Sequence, residues 1–292
     1  MHRAWLEVLR CPACGERLSL DATRQAGDEV VEAFLACAAC LAVRVVLGGS
    51  VLVPASLEAT LRSQGAIVRR MPLADPRVAR FVLARLGEGD DSVPLQDLVA
   101  RYGDLRPGAP PPAEASGLAA DLAAGALAAR AAREGALGQA LDLGTGVGRA
   151  AFEVARHARR VLGVDRSVAR IRRARNLAVT EEGFLLPAVD DARQDAALDL
   201  ARLARQGTDW AVADPTRLPL AAGSMDLVVL HAADGHGALD RPEVAAEGCR
   251  VLRARGWRLR PLASPAAWSV ALAAQPAREV AREGGWVLER CA

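Results

Sequence analysis

Two closely spaced cysteine pairs near the start of the chain have the spacing of a metal site. The first pair is Cys11 and Cys14, the second is Cys37 and Cys40, and residues 15–36 separate them. Each C-x2-C segment folds two thiolates onto one side of a tight turn, and two such turns supply the tetrahedral four-sulfur set of a structural zinc. Four thiolates leave no position for water, so we predict a structural Zn2+, with buried or redox-active cysteines as the alternative.

A glycine-rich turn in the second half of the chain is typical of a ligand-binding loop. The apolar segment 140–143 runs into Gly144, Gly146 and Gly148, and a helical stretch follows. Glycines allow a sharp turn and let a ligand approach the backbone without a Cβ in between. A dinucleotide-binding loop would have its third glycine where Arg149 stands. A nicotinamide-dependent oxidoreductase is therefore a weaker hypothesis.

Three acidic residues stand at or near the ends of successive apolar segments. Asp142 precedes the first glycine by two positions, Asp165 ends the segment 161–165, and Asp214 follows the segment 210–213. A carboxylate at the end of a second strand is placed to accept the hydroxyl groups of a ribose. We therefore predict a nucleoside site, with capping of the following turns as the alternative role of Asp165 and Asp214.

The elements that must position these residues form an α/β pattern. From Gly138 onward, short apolar runs alternate with helical stretches, which predicts a Rossmann-like, mostly parallel sheet with flanking helices. A small four-cysteine zinc ribbon and a helical linker region precede it. The predicted boundaries are 1–56 for the ribbon, 57–117 for the helical connector with its Pro-rich linker, and 118–292 for the Rossmann-like domain. The predicted strands of that domain are 140–143, 161–165, 210–213, 226–231, 257–262 and 286–289.

Composition narrows the function classes further. The chain has 292 residues, 51% of them hydrophobic, and a net charge of +2, so no basic nucleic-acid footprint shows at the level of the whole chain. All 37 basic residues are arginine. We find neither a signal peptide nor a stretch of about 18 apolar residues, and we expect a cytoplasmic protein without membrane contact.

The ordered set of glycines and strand-end acids resembles the class I S-adenosylmethionine-dependent methyltransferases, in particular the subgroup similar to quinone-biosynthesis C-methyltransferases. The resemblance implies that the loop from Gly144 to Gly148 lies beneath the methionine part of the cofactor, and that Asp142 lies near its amino group. It implies ribose contacts from Asp165 and adenine contacts from Asp214. The full set of cofactor-binding candidates is Asp142, Gly144, Thr145, Gly146, Gly148, Asp165, Arg166, Asp214, Pro215 and His231.

The N-terminal segment resembles a family of small zinc-ribbon proteins that activate tRNA and protein methyltransferases. The matching segments are 5–14, which includes the first cysteine pair, and 48–54. This resemblance implies a protein or RNA partner for the ribbon. A ribbon in front of a methyltransferase domain is also similar to the large-subunit rRNA guanine methyltransferases.

The methyl acceptor stays open at this stage. His231, Asp234 and His236 follow the fourth predicted strand and are the catalytic candidates, with a solvated loop as the alternative. Two departures from the family pattern, the single glycine at Gly256 and the short C-terminus, favour a second hypothesis, a non-catalytic scaffold that binds a partner. Because the chain ends just after the sixth predicted strand, we expect the usual seventh strand to be missing. The passage 180–207 is longer than is usual in the family, and we expect an extra helix there.

Overall fold

The computed structural model describes residues 1–89, 93, 95–109, 113, 117–180, 185–186, 196–231 and 239–292. The strands are β1 (Ser19–Ala26), β2 (Glu29–Ala36), β3 (Val43–Leu47), β4 (Ser50–Leu52), β5 (Leu137–Leu143), β6 (Ala158–Asp165), β7 (Leu185–Leu186), β8 (Ala196–Ala197), β9 (Thr208–Val212), β10 (Met225–Leu230), β11 (Leu252–Pro261), β12 (Ala277–Glu283) and β13 (Trp286–Cys291). The helices are α1 (Leu57–Ser63), α2 (Gly65–Arg69), α3 (Pro76–Leu83), α4 (Leu95–Tyr102), α5 (Gly117–Glu134), α6 (Arg149–Val154), α7 (Val168–Val179), α8 (Pro242–Val251) and α9 (Ser269–Ala274).

One sheet extends through the described part of the chain. Eleven strands lie in the order β1-β2-β3-β4-β9-β6-β5-β10-β11-β13-β12. The central five, from β9 to β11, are mutually parallel. The predicted Rossmann-like, mostly parallel sheet with flanking helices is confirmed.

The ribbon strands are an extension of this sheet. Val51 of β4 lies opposite Ala211 of the parallel strand β9, and Leu52 lies opposite Val212. The amide of Val53 then donates a hydrogen bond of 2.9 Å to the carbonyl of Val212. The segments 1–56 and 118–292, which residues 57–117 separate in the sequence, are therefore neighbours in one hydrogen-bonded sheet.

A buried carboxylate joins the N-terminal segment to β9. Asp209 accepts a hydrogen bond of 2.8 Å from the indole of Trp5 and another of 2.8 Å from the amide of His2. Asp209 is 5% exposed and Trp5 is fully buried. Hydrogen bonds to a buried ionised group are stronger than those between neutral groups, so this residue contributes to the attachment of the ribbon.

Both faces of the sheet are buried in its central part. One face packs residues of the ribbon and the connector, such as Leu47 and Leu61, with Phe152 and Trp210 of the Rossmann-like domain. The other packs Trp5 and further ribbon residues with residues from the central strands and α8. A parallel sheet needs cover on both faces, and here that cover continues from the ribbon to the domain.

The C-terminal part of the sheet corrects one expectation. β12 is a strand that the sequence did not predict, and β13 lies between β11 and β12, antiparallel to both. The expectation that a seventh strand is missing is therefore wrong, because β9, β6, β5, β10, β11, β13 and β12 are seven strands. β12 forms the exposed edge and contains two pairs of charged residues, Arg278-Glu279 and Arg282-Glu283, so it lacks the apolar run of a central strand.

The extra helix expected within 180–207 stays a prediction, because residues 181–184 and 187–195 lie outside the described residues. The described part of this passage contains the short ladder of β7 and β8 and a 3-10 helix, Leu200–Arg202. None of the helices in the described part of the chain has the length and hydrophobicity needed to cross a bilayer.

Candidate active site

A cavity of about 400 Å3 lies over the carboxyl ends of the central strands. It is lined by Asp97, Ala100, Arg101, Gly117, Asp121, Gly144, Thr145, Gly146, Val147, Arg149, Asp165, Arg170 and His231. Its volume is within the range of about 300–1,000 Å3 that is usual for small-molecule sites. Five of the predicted site residues lie on its wall: Gly144, Thr145, Gly146, Asp165 and His231.

Glycine is required at two positions of the loop for different reasons. Gly146 has φ +55°, and a Cβ there would meet no atom within 4 Å, so its bare backbone faces open space beside the cavity. Gly148 has φ +90°, and a Cβ there would lie 2.6 Å from the ring of Trp210. Gly146 thus leaves space for a ligand, whereas Gly148 is required for packing between α6 and β9.

Asp142 is sealed beneath the loop. It is fully buried, accepts a hydrogen bond of 2.5 Å from the hydroxyl of Thr145, and lies 2.7 Å from Nε2 of His231. It is not among the described residues that line the cavity. Its position near a cofactor amino group stays a prediction, and its observed contacts are those of a residue that orients Thr145 and His231.

Asp165 stands at the end of β6 and faces the cavity. One carboxylate oxygen accepts a hydrogen bond of 3.0 Å from the amide of Gly146, and the other accepts one of 2.9 Å from the amide of Ser167. These bonds fix the carboxylate beside the open backbone of Gly146.

The residues predicted to contact the adenine are not among the described residues that line this cavity. Asp214 follows β9, which is next to β6, but its carboxylate accepts hydrogen bonds from the amide and the hydroxyl of Thr216, at 2.9 and 2.7 Å. Asp214 and Pro215 are not among the described lining residues. The side chain of Arg166 is exposed, and its carbonyl accepts a hydrogen bond from Gln64 of the connector. The contacts of Asp214 with Thr216 are those of the alternative role, a cap on the following turn.

His231 follows β10 and is held on two sides. Besides Asp142, it has the ring of Trp286 at 5.1 Å between centroids, nearly perpendicular. Burial lowers the pKa of His231, but the charge and hydrogen bond of Asp142, with the charge of Asp121, outweigh burial and raise the pKa above its ordinary value. Asp234 and His236, the other catalytic candidates, lie outside the described residues.

The connector side of the site contains residues that the sequence patterns did not predict. Arg101 of α4 forms an ion pair of 2.6 Å with Asp121 of α5, and both residues line the cavity. Neither residue belongs to a recognisable motif, because a single charged residue on a helix is typical of a solvent-exposed face. The signal that could have found Asp121 is its place among alanines and leucines, where an unpaired carboxylate would be costly to bury.

The connector is also bound to the glycine loop itself. The hydroxyl of Tyr102 donates a hydrogen bond of 2.6 Å to the carbonyl of Val147. Arg149 is 3% exposed and makes a two-pronged ion pair with Asp104, at 2.7 and 3.0 Å. Arg149, which stands where a dinucleotide-binding loop would have its third glycine, thus connects the segment 95–105 to α6.

The four predicted metal ligands meet at one point. The sulfur atoms of Cys11, Cys14, Cys37 and Cys40 all lie within 4.8 Å of one another. The distance from Cys11 to Cys40 is 3.5 Å and that from Cys14 to Cys37 is 3.4 Å. A tetrahedral zinc with bonds of about 2.3 Å to sulfur would separate its ligands by about 3.8 Å, so the cluster fits this ion.

The arginine-rich helix α7 contacts other parts of the chain. Arg172 donates to the carbonyl of Arg70, and Arg175 donates to the carbonyl of Gly48 and pairs with Glu29. Arg170 lies 3.9 Å from Asp97. These side chains connect the ribbon and the connector to the domain, a role that the sequence did not predict.

Comparison with known protein families gives one match, which covers part of the chain. A family profile described as "Methyltransferase domain" matches residues 141–259. No curated protein matches the chain.

Among solved structures, the chain is similar to the YcgJ protein of Bacillus subtilis, with 16% identity, a TM-score of 0.37 and coverage of 54% of this chain and 70% of that one. A methyltransferase of Geobacter sulfurreducens has 17% identity, a TM-score of 0.40 and coverage of 76% and 100%. The N-methyltransferase NodS of Bradyrhizobium japonicum, solved with S-adenosyl-L-homocysteine, has 16% identity, a TM-score of 0.36 and coverage of 57% and 84%.

The matched segment begins in β5 and ends in β11, so it contains the glycine loop, Asp165 and His231, and it spans the central parallel strands. The central part of the chain, residues 141–259, therefore matches a methyltransferase domain.

Proposed function

We propose that this chain transfers a methyl group from S-adenosylmethionine, held in the cavity over β5 and β6, to a nucleophilic acceptor. The observation that carries the proposal is the bare backbone of Gly146, open beside the cavity and hydrogen-bonded to Asp165. The cofactor supplies an electrophilic methyl group on a sulfonium centre. The chain's own task is to bind and align the reactants, since proximity alone can contribute much of the rate.

Within this proposal, Gly144, Thr145 and Gly146 form the backbone surface that holds the cofactor, and Asp165 accepts the ribose hydroxyls. Gly148 acts through packing against Trp210. Asp142 acts as a positioning residue, because its carboxylate is engaged by Thr145 and His231. Asp214, Pro215 and the backbone at Arg166 are the proposed surroundings of the adenine, beyond the end of β9.

His231 is the proposed catalytic residue for an acceptor that must lose a proton. Its ring lines the cavity, and Asp142 fixes its orientation through Nε2. Asp142 and Asp121 stabilise the imidazolium and raise the pKa of His231, so the ring can hold a proton that it takes from the acceptor. Asp234 and His236 remain predicted contributors from the same loop.

We propose that the cysteine cluster holds one structural Zn2+. The support is the tetrahedral spacing of the four sulfur atoms. With no open ligand position, such an ion contributes folding free energy and no chemistry. It would stabilise the strands that extend the sheet beside β9.

For the acceptor we propose a small molecule in the cytoplasm. Arg172 and Arg175 of α7, which belong to the basic stretch that an RNA would contact, are engaged with the connector and the ribbon. The resemblance to quinone-biosynthesis C-methyltransferases makes a carbon acceptor one of the substrates to test. A protein or RNA partner of the ribbon is the competing proposal, and single-turnover assays with both classes of acceptor separate the two.

Isothermal titration of the zinc-loaded chain with S-adenosylmethionine tests the proposal. We expect binding at one ligand per chain and a loss of affinity of about tenfold or more in Asp165→Asn, because a charge-assisted hydrogen bond contributes about 1.5–3 kcal/mol. Asp240→Asn, on an exposed turn, is the matched control and should bind like the wild type. Absence of binding at millimolar ligand would favour the non-catalytic scaffold.

A further inference from the structure

A second cavity, of about 350 Å3, lies where the end of the connector meets α5 and α6. Its charged lining residues are four arginines and two acids: Asp104, Arg106, Arg149, Glu153, Arg156 and Arg202. Among the described lining residues, only Arg149 also lines the cavity over the central strands. This arginine cavity is therefore a separate site, and positive charge is in excess on its wall.

The two acids of the arginine cavity are already bound to arginines. Asp104 accepts two hydrogen bonds from Arg149, at 2.7 and 3.0 Å. Glu153 accepts one from Nε of Arg149, at 3.0 Å, and one from Nε of Arg156, at 2.8 Å. Each carboxylate oxygen of the two acids thus accepts from a guanidinium, and both acidic side chains are less than one tenth exposed.

Arg202 and Arg156 are held mainly by backbone carbonyls on the cavity side. Arg202 donates from Nη1 to the carbonyl of Asp104 at 2.7 Å, and Arg156 donates from Nη2 to the carbonyl of Arg202. The ion pair of Arg202 with the Asp104 carboxylate is long, at 4.0 Å. A carbonyl is uncharged, so it orients a guanidinium without cancelling its charge.

Both of these guanidinium groups keep donors for a ligand. A guanidinium presents five N–H groups in a planar fork. Among the described residues, Arg202 uses one of them in hydrogen bonds and Arg156 uses two. Their side chains are 54% and 42% exposed, so the remaining donors are accessible from the cavity.

A phosphate group matches these donors better than a carboxylate does. One guanidinium is enough for the two oxygens of a carboxylate, whereas a phosphate monoester has three acceptor oxygens and a charge of about −1.5 to −2 at neutral pH. Two arginines on one wall therefore fit a phosphate in both charge and number of donors. Leu105, Ala109 and Leu122 line the same cavity and can contact an apolar part of the ligand.

We propose that the arginine cavity binds a phosphate group, as free phosphate or on a small phosphate monoester, through Arg156 and Arg202. The inference goes beyond methyl transfer and does not depend on it. Arg156 follows α6, Arg202 ends the 3-10 helix Leu200–Arg202, and Arg202 is bonded to Asp104 of the connector. A bound phosphate would hold these three segments together.

Titration calorimetry in phosphate-free buffer tests the site with inorganic phosphate, phenyl phosphate and benzoate. Phenyl phosphate and benzoate share a ring and differ in the anionic group. We expect both phosphates to bind at one per chain, and the affinity for phenyl phosphate to exceed that for benzoate by about tenfold or more, because a phosphate accepts charge-assisted hydrogen bonds from both arginines. Tighter binding of phenyl phosphate than of inorganic phosphate assigns the site to a monoester, and the reverse order assigns it to free phosphate.

Substitution of either arginine should weaken phosphate binding. Arg202→Met and Arg156→Met should each lower the affinity for phenyl phosphate by about tenfold. Arg202→Lys keeps the charge without the planar fork, and its affinity should lie between those of Arg202→Met and the wild type. Arg202→Met leaves the ion pairs of Arg149 in place, so it decides the test if Arg156→Met does not fold.

Two control variants locate the bound anion. Arg133→Met, at the exposed end of α5, and Arg170→Met, on the wall of the first cavity, should bind phenyl phosphate like the wild type. A loss in Arg133→Met as large as that in Arg202→Met would show a nonspecific response to net charge. A loss confined to Arg170→Met would place the anion in the first cavity. Either result, equal affinities for phenyl phosphate and benzoate, or no binding of phosphate at millimolar concentration overturns the proposal.

Discussion

The hydroxyl of Tyr102 donates a hydrogen bond of 2.6 Å to the carbonyl of Val147, so the connector is tied to the backbone of the glycine loop. Tyr102 is fully buried, and burial raises its pKa well above the ordinary value, so the phenol keeps its proton. The segment between ribbon and domain is therefore part of the candidate site.

Tyr102→Phe removes the donor and leaves the carbonyl of Val147 without that partner. An unpaired buried acceptor costs about 1–3 kcal/mol, so we expect a loss of that size in the free energy of urea-induced unfolding. We also expect weaker cofactor binding, because the loop loses a restraint. Unchanged stability and affinity would show that the bond does not hold the loop.

Substitutions in the glycine loop should separate binding from packing. Gly146→Ala places a methyl group in open space at φ +55°, so we expect a stability cost of about 1–2 kcal/mol and a larger proportional loss of cofactor affinity. Gly148→Ala drives its methyl group into Trp210 and should mainly destabilise the fold.

Gly135→Ala is the matched control for both changes. Gly135 has no atom within 4 Å of its Cβ position and no positive φ, so stability and affinity should stay near wild type. Calorimetry and thermal unfolding on the three variants measure both quantities. Equal losses of affinity in Gly146→Ala and Gly135→Ala would contradict the role of Gly146.

Asp209 should prove important for attachment of the ribbon. Asp209→Asn keeps the shape but removes the charge that receives the indole of Trp5 and the amide of His2. We expect a loss of about 2–3 kcal/mol in unfolding free energy. Hydrogen exchange should report faster exchange in β4 and β9 together, and protection of both strands at wild-type levels would count against this account.

Removal of the predicted zinc should weaken the whole sheet. One zinc per chain is expected from elemental analysis, and Cys14→Ser should lower both the zinc content and the melting temperature. Cys249→Ser is the control, since Cys249 lies in α8 outside the cluster. A chain that carries no zinc yet melts like the loaded form would refute the structural role.

His231 should give stability a pH dependence of definite sign. Burial lowers its pKa, but Asp142 and Asp121 outweigh burial, so the folded-state pKa is above the unfolded value of about 6.5. The folded state therefore holds the proton more tightly, and its stabilising contribution is complete below about pH 6.5 and is lost as pH rises through the folded-state pKa.

The measurement is the difference in melting temperature between wild type and His231→Gln across pH 6 to 9. The wild-type advantage should shrink as pH increases. An advantage that grows with pH would mean that the neutral imidazole is the stabilised form.

The central strands and their acids could be predicted because buried parallel strands have continuous apolar runs, and the carboxyl ends of such strands share one edge. The pairing of β4 with β9 could not, since its register depends on a contact between residues 51–53 and 211–212 that no local pattern encodes. β12 escaped prediction because an exposed edge strand tolerates charge at most positions. The ion pair of Arg101 and Asp121 could not be predicted, because it forms only where α4 and α5 pack together.

The most direct test of the central claim is a crystal structure of this chain with S-adenosylhomocysteine. The account predicts the ligand over Gly146, with its ribose hydroxyls within hydrogen-bond distance of the Asp165 carboxylate. A ligand bound elsewhere, or density at this cavity filled by the chain's own side chains, would contradict it.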